Sequence, residues 1–281
     1  MFASFRYYIH GIVILTAYAV GAVFGLINTS NAQNITGRSI VFPGAAIGQT
    51  IRGDTPEALM RALYATRDQR NPTYANKQFC GRTACKLKLL AADAWQGEDG
   101  AERILIVAGA EPSNPAHASP ALLGMAVLQR RGGTWVLQAG SPAVDEIGAW
   151  GSPPPVVTVL AGGFGRGAVA SPQFTAQGVQ LATWGLYVPI DDRIVKVLQL
   201  ETAPDSAASC EAQDMVCRRR ADAQDFSSVV TTEPAENGGL DVVQTVTLSA
   251  RSTQRPEIRR WHIEPTGRVT IIDRRSNRRD R

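Results

Sequence analysis

From Lys86 to Arg274 the chain is written as short apolar or alternating runs, broken repeatedly by Gly, Pro, Asn and Asp. Runs of this length, rich in Val, Ile, Leu and Thr and bounded by turn formers, specify β-strands rather than helices. Strands are expected at Lys86–Asp93, Arg103–Ala108, Ala121–Gln129, Thr134–Ala139, Val156–Leu160, Val179–Val188, Arg193–Glu201, Ser227–Thr232, Leu240–Arg251, Glu257–Glu264 and Arg268–Arg274. Leu240–Arg251 alternates most clearly. Leu240, Val242, Val246, Leu248 and Ala250 take one face, with Gln244 alone out of pattern, and polar residues take the other, wet face. Ala121–Gln129 is apolar on both faces, Leu123, Met125 and Val127 against Leu122, Ala126 and Leu128, so it belongs in the middle of a structure.

Two hairpins can be placed in register. Gly132-Gly133 is a two-residue loop of the kind that favours a primed turn, setting Gln129-Arg130-Arg131 against Thr134-Trp135-Val136. Pro265-Thr266-Gly267 suits a three-residue loop, pairing Glu264 with Arg268, Ile263 with Val269, His262 with Thr270 and Trp261 with Ile271. Gly140-Ser141-Pro142, Gly151-Ser152-Pro153 and Asp191-Asp192 read as turns, and Gly162-Gly163-Phe164-Gly165-Arg166-Gly167 as a wide β-turn.

Ahead of this β-rich region, one helix is expected. Asp54 or Thr55 caps it, Pro56 takes the first helical position, and Leu59, Ala62, Leu63 and Thr66 form a narrow apolar face. It should stop before Asn71-Pro72. The fold class is therefore mainly β: an antiparallel twisted sheet or an open barrel or sandwich, with one N-terminal helix packed on it.

The first residues concern the compartment. Arg6 precedes an uncharged run, Gly11 to Leu26, and then a polar stretch with small residues at Ser30 and Ala32. This is the layout of a signal peptide cleaved after Ala32. The apolar run is shorter than the roughly 20 residues of a comfortable membrane span; retention as an uncleaved anchor is the alternative. The organisation expected is thus 1–32 signal peptide, 33–53 lead-in with a short strand near Ser39–Phe42, 54–274 a single β-rich domain, and 275–281 a basic flexible tail. Periplasmic or secreted residence follows.

Net charge has to be divided before it is interpreted. The whole chain is +4, and losing Arg6 leaves +3. The stretch Arg274–Arg281 holds five arginines and one acid, so the body between is about −1. The basic character lies in the tail, which suits weak contact with anionic surfaces and gives no footprint for nucleic acid on the domain.

Four cysteines, Cys80, Cys85, Cys210 and Cys217, allow three pairings. The local pairs 80–85 and 210–217 are expected, each in a short polar connector, and each closed loop stabilises by about 2–2.5 kcal/mol. Neither spacing is that of a zinc site.

Catalytic signatures are sparse. Beyond residue 32 the histidines are His117 and His262, the latter expected to be solvated on a polar strand face with Arg260 and Glu264. No G-x-S-x-G elbow or phosphate loop occurs. The proline-punctuated loop 111–120 is the candidate binding loop, through Glu111, Asn114, His117 and Ser119. No catalytic residue, metal ligand or cofactor is assigned. The residues point to non-catalytic binding of a protein or other envelope component, in an inhibitor, immunity or accessory role. A cell-wall or carbohydrate hydrolase working through carboxylates is the alternative.

The stretch from His117 to Gly151 resembles a group of uncharacterised secreted or periplasmic bacterial proteins. Their shared pattern is roughly C-H-A-C-x-P-x-x-G, an apolar strand, a G-x-W hairpin and a G-x-W-G turn. The matching residues here are His117, Ala118, Gly124, Gly133, Trp135, Gly148, Trp150 and Gly151. Ala116 and Ser119 stand where the pattern has its two cysteines. The resemblance implies envelope residence and carries no activity with it.

Overall fold

The structure, a computed structural model, describes residues 42–80, 84–176, 179–205, 226–248 and 256–275. All lie within one compact unit, Ile35–Arg281. The expected signal peptide, the expected Cys210–Cys217 pairing and residues 276–281 of the expected 275–281 tail fall outside the described residues.

Among the described residues the strands form three antiparallel sheets. The first comprises β1 (Thr50–Ile51), β2 (Thr73–Tyr74), β3 (Cys85–Gln96), β4 (Glu102–Glu111), β5 (Ala121–Arg131) and β6 (Thr134–Ile147), in the order β1-β6-β5-β4-β3-β2. The second comprises β7 (Val156–Leu160), β8 (Arg166–Ala170), β9 (Gln173–Ala176), β10 (Val179–Ile190) and β11 (Arg193–Asp205), ordered β11-β10-β8-β7 with β9 also on β10. The third is a plain meander of β12 (Phe226–Pro234), β13 (Leu240–Leu248), β14 (Glu257–Ile263) and β15 (Val269–Arg275).

Strand β5 shows why the first sheet is central. Residues 121–129 are all buried, as its two apolar faces require. Leu122, Ala126 and Leu128 pack into a cluster with the helix α1 (Pro56–Leu63). Leu123, Met125 and Val127 pack on the other side with Ala168, Ala170, Tyr187 and Ile194 of the second sheet. Each large apolar side chain so buried contributes about 1.5–3 kcal/mol. In turn, Trp184, Leu186 and Val188 of β10 face away from the first sheet and join Leu240, Val242, Trp261 and Ile263 of the third.

Both hairpin registers are found as the turn chemistry dictates. Arg131 pairs with Thr134, Arg130 with Trp135 and Gln129 with Val136, and Gly132 and Gly133 both take positive φ. Trp261 pairs with Ile271, His262 with Thr270 and Ile263 with Val269, while Glu264 N donates to Arg268 O at 2.9 Å. Asp191-Asp192 is the tight turn between β10 and β11.

Several expectations are corrected. The helix stops before Asn71-Pro72 as expected, but already at Leu63, short of Thr66. Ala65 takes φ 53°, and Thr66 N reaches back to Arg61 O at 2.9 Å, closing the helix in a left-handed cap. Met60 joins Leu59 and Leu63 as fully buried, Ala62 is partly buried against the same cluster as expected, and Thr66 lies beyond the helix. Thr55 is the N-cap, accepting from Ala58 N. Residues 39–41 of the expected short strand lie outside the described residues, and Phe42 makes an isolated bridge to Ala45; Phe42, Ala45 and Ile51 are core, so the described part of the lead-in, from residue 42, belongs to the packed body. Within the wide turn expected at 162–167, Gly162–Phe164 form one turn of 3-10 helix and Arg166 already begins β8.

Gly140-Ser141-Pro142 is not a turn. It lies inside β6, where the register shifts between Leu123↔Asp145 and Met125↔Ser141. At such an irregularity proline removes no ladder bond, and the strand is freed to bond elsewhere. Gly140 N donates to Asp192 O at 3.0 Å, and Ser141 Oγ to Ile194 O at 3.1 Å, so β6 is tied to the second sheet.

Gln244 explains its own break in pattern. It is 1% exposed on the apolar face of β13, and its Nε2 donates to Glu201 O at 2.7 Å and to Ser228 Oγ at 2.9 Å. Leu248 already reaches the surface, and residues 249–251 fall outside the described residues.

Candidate binding site

Ala121 pairs with Ile147, so the loop before β5 and the turn after β6 leave the first sheet at the same end. The backbone joins them. Trp150 N donates to His117 O at 3.1 Å and Gly151 N to Ser119 O at 2.7 Å. Residues 148–152 close on themselves through Ser152 N to Ala149 O at 3.0 Å. Gly148 and Gly151 take positive φ, and a Cβ on Gly151 would lie 2.6 Å from Pro115 Cβ and 3.0 Å from Pro112. Only glycine lets the loop and turn approach this closely.

Between those glycines sits Trp150, at φ 55° and 59% exposed. A left-handed backbone costs a bulky residue about 1–2 kcal/mol. An indole is also rarely left in water without a partner. Its neighbour is the His117 ring, edge-to-face at 4.5 Å between centroids. Ala116 and Ser119, which replace the cysteines of the resembled pattern, are linked instead by hydrogen bonds: Ala116 N to Ser119 Oγ at 2.8 Å and Ser119 N to Ala116 O at 3.0 Å.

The four residues of the candidate loop therefore divide. His117 and Ser119 build the junction with Trp150. Glu111 stands at the end of β4 in an ion pair with Lys88, at 3.4 Å. Asn114 is exposed and takes no part in these contacts. Ser113 Oγ donates to Ala84 O at 3.1 Å, beside the disulfide joining Cys80 to Cys85. That pairing is the expected one, although Cys85 is the fully buried first residue of β3 rather than part of a polar connector. Sequence reasoning missed the exposure of Trp150. The available signal was a tryptophan between two glycines in a turn, where a core residue has no place.

Two further polar clusters hold the sheets. Asp145 accepts from Tyr187 Oη at 2.6 Å and from Lys196 Nζ at 2.9 Å. Burial, reinforced by the Asp145 charge, pushes the Tyr187 hydroxyl far above its ordinary range. His262 is not simply solvated: its Nδ1 lies 2.7 Å from Asp241 Oδ1 and its Nε2 2.9 Å from Asn237 Nδ2. With both ring nitrogens engaged, His262 pins the 235–239 turn to β14. Among the described residues no group of three or more His, Cys, Asp or Glu side chains is placed to hold a metal ion.

No protein-family model matches this chain, and neither a curated protein nor a solved structure does.

Proposed function

We propose that this is an exported envelope protein that recognises a partner, a protein or another envelope component, through the surface formed by loop 112–120 and turn 148–152. The observation that carries the reading is Trp150: exposed, held in a disfavoured backbone conformation, and braced by His117 and two loop-to-turn hydrogen bonds. Strain of this kind persists where the surroundings enforce it, and enforced exposed aromatics are the usual anchors of interfaces. Export is supported by the apolar run from Gly11 to Leu26 with small residues at Ser30 and Ala32, and a disulfide at Cys80–Cys85 suits an oxidising compartment. The resemblance to secreted proteins falls on His117, Trp150 and Gly151, the residues of this junction. Two apolar clusters on opposite faces of β10 support an open, sandwich-like stacking of sheets over a closed barrel. The basic tail adds weak contact with anionic surfaces. Asp93, Asp99, Asp145 and Asp241 each face a cation or histidine, which favours a structural use of these acids over hydrolysis.

The test is a photo-crosslinking residue at position 118 in cells producing the full chain. One discrete adduct is expected in the envelope fraction, and Trp150→Gly in the same chain should abolish it. That variant relieves the backbone strain, so its melting temperature should stay within about 3 °C of the parent. An adduct that survives Trp150→Gly, or one formed from position 157 and not from 118, would move the recognition surface elsewhere.

A further inference from the structure

At the opposite end of β5, turns from all three sheets meet around a groove of about 620 Å³. That volume lies within the range of small-molecule sites. The segments around it are bonded to one another: Gly48 N to Leu137 O of β6 at 2.8 Å, Gly163 N to Gly238 O at 3.0 Å, and Gly140 N of β6 to Asp192 O at 3.0 Å. The groove is therefore preformed and not a gap between loose loops.

Its lining has two characters. Trp95 and Phe164 supply aromatic surface, and the Trp95 indole lies so close to Gly165 that a Cβ there would sit 3.2 Å from the ring. Beside Trp95 on the same sheet face, starting at its cross-strand partner Arg103, runs a chain of fixed polar side chains. Asp99 takes both terminal nitrogens of Arg103, at 2.7 and 2.6 Å, which holds its carboxyl below the usual carboxylate range. Arg103 Nε donates to Gln138 Oε1 at 3.3 Å, and Gln138 Nε2 donates to Gln129 Oε1 at 2.7 Å. The same Gln129 oxygen accepts from Arg131 Nε at 2.8 Å.

The acceptors of this chain are consumed within it: the Asp99 carboxylate by Arg103, the Gln138 oxygen by Arg103, and the Gln129 oxygen twice over. What is left is donors. Arg131 is exposed, its Nε bond orients the guanidinium, and its terminal nitrogens are not used in the chain. The acid in the lining is Asp191, whose charge opposes an anion. A wall with donors to spare and an aromatic floor complements an acceptor-rich head on an apolar body.

We propose that this groove binds a small amphipathic anion, with a carboxylate or phosphate head on Arg131 and an apolar body against Trp95 and Phe164. The site is separate from the Trp150 surface, and its success or failure leaves the recognition reading untouched.

Calorimetric titration of the full chain with octanoate, octyl phosphate and octanol, each below its aggregation concentration, tests it. One or both anions should bind about tenfold tighter than octanol, the difference a charge-assisted hydrogen bond supplies. Preference for octanoate identifies the head as carboxylate, and preference for octyl phosphate identifies it as phosphate. Arg131→Gln should reduce the anions to the octanol level, whereas Arg130→Gln, one residue away and paired with Glu102, should change nothing. Trp95→Ala should weaken all three probes, and Asp191→Asn should tighten the anions. Octanol binding as well as the anions, an Arg130→Gln effect equal to that of Arg131→Gln, or no binding by any probe in a folded protein would overturn the proposal.

Discussion

The hydroxyl of Tyr64 donates to the carbonyl of Pro142 at 2.9 Å, passing over Gly124 in the central strand. The bond joins the end of the helix to the irregular stretch of β6. Tyr64 also packs edge-on against Phe42 and Tyr74, with centroids 5.2 and 5.0 Å away. A Cβ on Gly124 would overlap both the hydroxyl and the Pro142 carbonyl.

Gly124→Ala should therefore destabilise the protein by about 2–3 kcal/mol through overpacking. Tyr64→Phe removes the hydroxyl and one hydrogen bond and should cost about 1 kcal/mol. In the double variant part of the alanine penalty should disappear, because one of the two overlapping groups has gone. Urea unfolding of the four proteins reads this directly, and strict additivity would show that the hydroxyl is not the obstacle.

Gln244 gives a second expectation. Replacing it with Met keeps the volume but leaves the Glu201 carbonyl without its donor in a buried site, at a cost of about 1–3 kcal/mol. Ser228→Ala removes the longer Gln244 contact and its own bond to the Thr202 carbonyl but leaves the Glu201 carbonyl with its donor, and should cost less than Gln244→Met. Equal losses in chemical denaturation would mean that the carbonyl contact contributes nothing.

Alkaline pH should unfold the protein by a route that can be assigned. Burial, then the Asp145 charge, raises the folded-state value of Tyr187 far above its ordinary 10.0, and burial does the same to Tyr64. A raised value means the folded state holds its proton longer than the unfolded chain. The contribution is complete below pH of about 10 and is lost as pH rises above it, at up to about 1.4 kcal/mol per pH unit for each tyrosine. Tyr187→Phe should flatten the fall in stability between pH 10 and 12; an unchanged slope would assign the loss to other groups.

Cys80 and Cys85 are both buried, at 7% and 0% exposure. A mild reductant should leave this disulfide intact in the native protein, and thiol labelling at these two residues should appear only once denaturant is added. The double Cys80→Ala/Cys85→Ala variant should still fold, losing about 2 kcal/mol. Rapid labelling under native conditions would show that the β2–β3 connection opens locally.

How far the sequence carries depends on where each feature's cause lies. The hairpins at Gly132-Gly133 and Pro265-Thr266-Gly267 were readable to the residue because turn chemistry and the pairs beside it are local. The two faces of β5 were readable for the same reason. β8 was missed: Arg166–Ala170 has little bulk, and Ala168 and Ala170 suit their places only because two sheets press on them, both being fully buried. The early end of the helix was missed because Gly44 N bonds to Leu63 O, a contact from a segment with no strand or helix pattern of its own. Gly140-Ser141-Pro142 has the composition of a turn, and only the second sheet alongside turns it into strand. At the candidate site, loop 111–120 was identified by its prolines, while its junction with Trp150 depends on two chain segments meeting. The groove, assembled from turns of three sheets, left no pattern in any one of them.

The pairing of β1 with β6 constrains the order in which the chain can reach its final form. Ile51 lies opposite Trp135, and the whole run of chain between the two residues, β2 to β5 included, is synthesised before β1 can find its partner. The leading segment emerges first yet has no edge to join until the β5–β6 hairpin exists, and closing so long a loop carries an entropic cost that only the finished edge offsets. The β5–β6 hairpin is thus positioned to form early and the N-terminal edge to lock last. Slow completion of that edge would leave β6 open longest, with its backbone unpaired and available to another chain.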